Sequence, residues 1–258
     1  MAKKGKRAEV FFLPWDRRDE LPVLLARSQA AEGMEKGDYV AVKMHFGERG
    51  GVGFIEPKYV RPVLKFIRST KARPYLTDTN TIYHGPRNNA VGHLAVAADH
   101  GFTQTRLQVP IVISDGIKGN DCSPIEVDGK HFSSVKIAAG ILDSDFLMVL
   151  SHFKGHVLAG FGGALKNVGM GCGARIGKFE MHSSVAPTYN QKLCTRCGAC
   201  VGVCPRGAIG MVEGGVAVDV DKCVGCGECV VACPSGALTI TWNEGAASVQ
   251  ERYVEYAA

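Results

Sequence analysis

Five apolar runs recur through residues 1–188: AEVFFL, YVAVKMHF, RPYLTD, VPIVISD and DFLMVLSHF. Rich in Val, Ile, Phe and Leu, they read as buried strands. Between them lie stretches with apolar residues at helical spacing. KYVRPVLKFIRST and NNAVGHLAVAADHGF predict helices, the second stopping at Gly101. SSVKIAAGILDS matches neither template cleanly. Strands alternating with helices predict an α/β layered domain with a mostly parallel sheet over residues 1–188. Ligands of such sheets bind at the C-terminal ends of the strands.

The pattern changes near residue 189. Leu193–Ile209 and Lys222–Leu238 are two copies of one segment, 29 positions apart. Between them IGMVEGGVAVDVD alternates apolar and polar residues around Gly214-Gly215, a hairpin signature. ALTITW supplies a last strand. Residues 189–243 therefore form a second, α+β unit, with a βαββαβ-like module over Lys192–Trp242. Residues 244–258 contain ASVQERYVEYAA, a tail expected to return to the α/β domain as a strand or helix.

The repeat carries the chemistry. Cys194, Cys197, Cys200 and Cys204 precede Pro205, and Cys223, Cys226, Cys229 and Cys233 precede Pro234. Both runs read C-x-x-C-x-x-C-x-x-x-C-P, the spacing of bacterial [4Fe–4S] sites. A cubane needs four thiolates converging on one small object, and the tight spacing lets one loop supply three. Zinc usually takes four ligands as separated C-x-x-C pairs. Disulfides suit small secreted chains, and no secretion signal is visible. Cysteines acting only as small buried hydrophobes would not repeat with this period. Two [4Fe–4S] clusters are the expected cofactors, of low potential by motif type.

Composition narrows the class. The chain has 258 residues, is 46% hydrophobic and can bury a sizeable core. Of its net charge of +5, the opening MAKKGKR holds four positive residues, a solvated tail. No basic stripe interleaved with aromatics argues for nucleic acid. VFFLPW is too short to span a membrane and lacks a cleavage site, and no other apolar segment is long enough. A soluble cytoplasmic protein of an anaerobic, reducing cell is expected. The repeat unit balances Lys192, Arg196, Arg206 and Lys222 against Glu213, Asp219, Asp221 and Glu228. Without net charge for long-range steering, it reads as a built-in relay rather than a diffusing carrier.

Polar residues gather where the strands of the large domain end: His45, Gly47, Glu48 and Arg49; Asp78, Asn80, Tyr83, His84 and Arg87; Asp115; and His152, Lys154 and His156. Any one of them is more simply a turn former or hydrogen-bond partner. Four strand ends delivering such groups together indicate a site. SHFKGHVLAGFGGALKNVGMGCGARIGKFEMHS follows the last strand. Gly160, Gly162 and Gly163 offer a backbone-amide cradle for an anion, with Lys166 and Arg175 adding charge. The plainer reading is a glycine-rich turn that lets a helix pack closely. No P-loop or Rossmann fingerprint occurs here. Cys172, between glycines, is a candidate ligand or nucleophile if Arg175 and Lys166 lower its pKa, and otherwise inert. Cys122 reads as structural or incidental, and His182 is placed near the junction of the two units.

The repeat resembles two-cluster bacterial ferredoxins. The resemblance implies that the fourth cysteine of each run serves the other cluster. One cluster would then use Cys194, Cys197, Cys200 and Cys233, and the other Cys223, Cys226, Cys229 and Cys204. The wider chain resembles the iron–sulfur centre proteins of domain-of-unknown-function family 362, through KMHFGERG, TDTNTIYHGPRNNAVGH, SHFKGHVLAGFGGALKNVGMGCGARIGK and MHS. That implies an α/β domain joined to a ferredoxin module and names no reaction. A shorter stretch, His156, Ala159, Gly160, Phe161, Gly162, Gly163 and Lys166, is similar to a segment of the nickel-pincer lactate racemases. There the Lys anchors the nickel cofactor and the His is an acid/base. Here Gly162 replaces a Ser of that segment.

Three functions compete. The first is an oxidoreductase whose clusters feed a substrate or unidentified second cofactor at the strand ends. His45, His152 or His156 would move protons, and Lys166, Arg175 and the glycines would hold an anionic group. The second is an electron-transfer protein whose α/β domain only docks a redox partner protein. The third is an isomerase-like enzyme with structural clusters. A concave polar pocket at the strand ends favours the first, and a filled dry region the second.

Overall fold

Val40, Ala41 and Val42 are fully buried, so the strand that carries them must be covered on both faces. A computed structural model describes residues 9–82, 85–156, 160–182, 186–204, 206–223, 227–239 and 246–258. In chain order, α1 (Leu21–Arg27) precedes β1 (Tyr39–Lys43), α2 (Pro57–Ser69), β2 (Arg73–Asp78), α3 (Ala90–Asp99), α4 (Gln104–Leu107) and β3 (Ile111–Ile113). Next come β4 (Cys122–Glu126), β5 (Ser134–Ala138), α5 (Ala139–Leu142), β6 (Phe146–Val149), β7 (Lys154–His156), β8 (Gly160–Gly162), α6 (Ala164–Cys172) and α7 (Arg175–His182). The second unit holds β9 (Thr188–Tyr189), α8 (Ala199–Gly202), β10 (Ile209–Val212), β11 (Gly215–Val218), α9 (Glu228–Ala232) and β12 (Leu238–Thr239). Helix α10 (Ala246–Ala257) closes the chain.

The large domain is α/β with a four-stranded sheet in the order β3-β2-β1-β6, every neighbouring pair parallel. Four of the five apolar runs form it. The fifth does not. Residues 9–13 of AEVFFL are irregular, with Val10 88% and Phe12 84% exposed. An apolar run becomes a strand only where a sheet edge receives it. Pro14, at φ −60°, instead leads into a short 3-10 helix at Trp15–Glu20.

The helices start and stop where local chemistry allows. Proline opens α2 at Pro57, where its missing N–H costs nothing. The Asn89 side chain accepts from the Gly92 N–H at 3.0 Å and caps α3, which ends before Gly101 at φ +83°. Val60, Val63, Leu64 and Ile67 of α2 pack with Val40, Val42 and Leu76 of the sheet. The ambiguous SSVKIAAGILDS divides into β5 and α5, with β5 antiparallel to β4.

In the smaller unit β10 and β11 form the hairpin around Glu213-Gly214, and β12 pairs antiparallel with β9. The described elements run β-α-β-β-α-β, but the first strand, Thr188–Tyr189, lies before Lys192, where the module read from the repeat begins. Helix α10 returns to the α/β domain and lies on α6 and α7. A methyl group at Gly169 would sit 2.0 Å from the Tyr253 carbonyl oxygen, and Gly173 and Gly177 also face Tyr256. These three glycines, four residues apart, make the seam that admits α10. No helix among the described residues is long and apolar enough to cross a membrane.

Candidate functional site

The C-terminal ends of β1, β2 and β6 open into a cavity of about 270 Å³. His45, His152, His156, Gly162, Gly163 and Lys166 all line it. So do Glu48, Asp78, Arg87 and Lys154 from the strand-end loops. Lys43, Asn167 and Lys178 line it too and were not singled out in the sequence. One signal did exist for Lys43. A lysine inside the buried run YVAVKM must find a partner.

Its partner is the centre of the site. Lys43 Nζ lies 2.9 Å from Asp78 Oδ1 and donates to Asn167 Oδ1 at 2.7 Å and the Met44 carbonyl at 3.1 Å. Asn167 Nδ2 in turn donates to the Leu150 carbonyl and Ser151 Oγ, tying α6 to the end of β6. Arg87 reaches Asp78 Oδ2 at 3.4 Å and forms a two-pronged pair with Glu48. His93 Nε2 is also 3.4 Å from Asp78 Oδ2. Burial alone would raise the Asp78 pKa, but Lys43, His45 and His93 outweigh it and hold the carboxyl well below its usual range.

His45 and His156 are shifted toward the neutral form. Arg87 Nη1 is 3.1 Å from His45 Nδ1, and a guanidinium can only donate. Nδ1 is therefore the acceptor and the ring proton sits on Nε2. Burial lowers the His45 pKa, in agreement, although Asp78 pulls the other way from 3.8 Å. His156 is lowered by burial and then by Lys166 and Lys154.

Positive charge is in excess. Five cationic side chains (Lys43, Arg87, Lys154, Lys166 and Lys178) face two carboxylates, Glu48 and Asp78. Lys178 is satisfied by Thr79 Oγ1 and by the Asn80 carbonyl at 2.6 Å. Lys166 has no hydrogen bond or ion pair among the described residues. Burial, then Lys154, Arg87 and Lys43, push its pKa down to about 8. Such a lysine lacks a counter-anion, and the cavity is where one would fit.

Other candidates lie elsewhere. Gly160 is at the far end of the β7–β8 hairpin, with φ +71°, and does not line the cavity. Arg175 is buried with its guanidinium over the Phe179 ring at 5.7 Å, and its backbone N–H donates to Asp115 Oδ2. Asp115 also holds the N–H and side chain of Asn80, so it clasps two loops together. Cys172 packs with Ala138 and Ile141, and burial pushes its thiol up, the reverse of activation. Cys122 sits at the start of β4. His182 is buried against Tyr253, 3.3 Å from its hydroxyl. Tyr83, His84, Ala159, Pro205 and Cys226 lie outside the described residues.

Cys194, Cys197, Cys200 and Cys233 line one small cavity, although Cys233 comes from the other run. Backbone N–H groups donate to sulfur at Cys194 (from Arg196, 3.4 Å), Cys204 (from Ala208, 3.2 Å) and Cys233 (from Ala237, 3.2 Å). Donors aimed at sulfur suit thiolate ligands. At Cys233, burial works against ionisation, but Ser235 and the N–H groups of Leu238 and Ala237 prevail and lower the pKa. Among the described residues no three His, Cys, Asp or Glu side chains meet closely enough to grip a single ion. A cubane spreads its thiolates wider than one ion does. Cys204 and Cys229 share an apolar layer with Ile82, Phe179 and Val230.

A protein-family model described as a domain of unknown function (DUF362) matches residues 40–256. That span includes both the strand-end cavity and all eight cysteines of the repeat. No curated protein matches the chain.

Proposed function

We propose that this chain, which belongs to the DUF362 family, is an iron–sulfur oxidoreductase that passes electrons from two [4Fe–4S] clusters to an anionic ligand in the strand-end pocket. One observation carries the reading. Ile82 lines the pocket and also belongs to the apolar layer around Cys229 and Phe179. That shared apolar cluster would join the pocket to the second cysteine run.

One cluster would be held by Cys194, Cys197, Cys200 and Cys233, and the other by Cys223, Cys226, Cys229 and Cys204. When bound they supply one-electron transfer. The protein's own side chains would do the rest. Lys166, with Lys154 beside it, attracts the anion, and Lys43 and Asp78 hold the floor of the pocket fixed. His45, with its proton on Nε2, and His156 stand ready to exchange protons with the ligand. The concave polar pocket favours this reading over a domain that only docks a partner.

Anaerobic purification with metal analysis and identification of copurifying small molecules tests the proposal. Iron near about eight atoms per chain is expected, from two cubanes, together with a bound anion released by Lys166→Met. Iron near zero, or an unchanged ligand in that variant, would overturn it. Nickel in stoichiometric amount would point to the racemase-like alternative.

A further inference from the structure

The two cysteine runs share one spacing, yet one matching pair of glycines meets different surroundings. Gly198 and Gly227 occupy matching places before α8 and α9, with φ of 73° and 71°. A methyl group at Gly227 would collide with the Phe179 ring, 2.1 Å from its Cγ. At Gly198 the same methyl would meet nothing within 4 Å. The second run is therefore pressed against the α/β domain through Phe179, on the side where Ile82 leads to the pocket.

The first run is open along one edge, although Cys200 is buried. Leu193 is 49% exposed, and Thr195, Arg196 and Cys197 are exposed as well. A group bound at Cys197 has one of its ligands at the protein surface. Electron transfer between proteins weakens steeply with distance, so this edge is the natural contact. Lys192 and Arg196 flank it, exposed and without an ion pair among the described residues. Glu213 is the carboxylate on the adjoining turn, which Gln191 holds through the Gly214 carbonyl at 3.0 Å. In the second run, by contrast, Lys222 is neutralised by Asp219 at 2.8 Å.

We infer that the exposed 191–197 loop is the docking face for a one-electron carrier protein with an acidic surface, and that the second run, packed on Phe179, passes the electrons inward. The inference rests on the cluster reading above. In each encounter the reduced carrier loses one electron and this chain gains it, and no atom is transferred. Apolar Leu193 between two cations matches a carrier that presents carboxylates around an apolar centre.

The test is titration calorimetry of the iron-loaded protein with a strongly acidic ferredoxin, at low and high salt. Lys192→Glu/Arg196→Glu, compared at equal iron content, should weaken binding by about tenfold or more at low salt, because opposed rim charges are lost. Arg61→Glu/Lys65→Glu reverses two exposed charges on α2, remote from the cysteines, and should leave the affinity at the parent value. Equal affinity of the 192/196 variant and the parent would overturn the docking face, as would equal weakening by the α2 variant. A parent protein without iron–sulfur spectra would instead overturn the cluster reading beneath it, so the two failures are separable.

Discussion

Lys43 and Asp78 end adjacent parallel strands and meet at 2.9 Å, both almost entirely buried. The contact fixes the floor of the pocket, because Asp78 also answers Arg87 and His93 while Lys43 reaches across to Asn167 of α6. One carboxylate therefore balances several cationic or histidyl groups.

Removing that carboxylate leaves buried charge without compensation. Asp78→Asn should destabilise the fold by about 3–5 kcal/mol, the usual cost of breaking a buried pair from one side. The native Asp78 pKa lies well below its ordinary 3.8. Its contribution is thus fully present above the unfolded value and lost as pH falls through 3.8 toward the native value. Urea midpoints at pH 7 and in this acid window would show both effects. An Asp78→Asn protein with the parent's midpoint at pH 7 would mean that Lys43 is balanced by another group.

Lys166 makes the opposite case. Its pKa near 8 means that burial and positive neighbours cost the folded state energy. Lys166→Met should stabilise the apo fold by about 1–2 kcal/mol while abolishing affinity for a small anion, with inorganic phosphate and acetate as probes. In the parent, anion binding should fall as pH rises through about 8, because the ammonium is lost there. Stability should rise between about 8 and the ordinary 10.5, because the unfolded chain binds the extra proton. A binding curve flat across pH 8 would rule out Lys166 as the anion's partner.

The sheet was legible because buried parallel strands leave continuous apolar runs, and the pocket because loops at one end of such a sheet carry the polar residues. AEVFFL misled because its apolar residues meet no sheet edge. Arg175 and Cys172 misled for a related reason. Gly173 clears space for Tyr256 of α10 and Gly171 for Lys43, and both Cys172 and Arg175 are buried. Lys178 became visible only when α7 turned it under Thr79 and Asn80. Proximity across roughly a hundred residues has no local signature in one chain.

The glycine seam has a clear mutational signature. Gly169→Ala would drive a methyl group into the Tyr253 backbone, which cannot yield without moving α10. Overpacking of this kind costs about 1–3 kcal/mol or more. Gly202→Ala, at the end of α8, meets open space and should be neutral or stabilising by about 0.5–1 kcal/mol. Denaturant midpoints and the near-ultraviolet signal of Tyr253 and Tyr256 would read both variants. If Gly169→Ala kept the parent's tyrosine signal and midpoint, α10 would not be docked as described.

His182 packs against that helix and should contribute to the response to mild acid. It is buried beside Tyr253, and burial first, then Lys166, His156 and Arg252, push its pKa down to about 3. The unfolded chain takes up a proton on this ring near the ordinary 6.5, and the folded chain refuses it. Stability from this residue is therefore intact above 6.5 and declines steadily as pH falls from 6.5 toward 3. That window lies above the one governed by Asp78, so the two are separable. His182→Gln keeps a polar side chain within reach of the Tyr253 hydroxyl but cannot titrate. It should reduce, without abolishing, the pH dependence of the urea midpoint between 6.5 and 4, because His45 and His156 are also shifted down, while leaving the lower acid transition in place. An unchanged slope in that variant would assign the mild-acid response to another histidine.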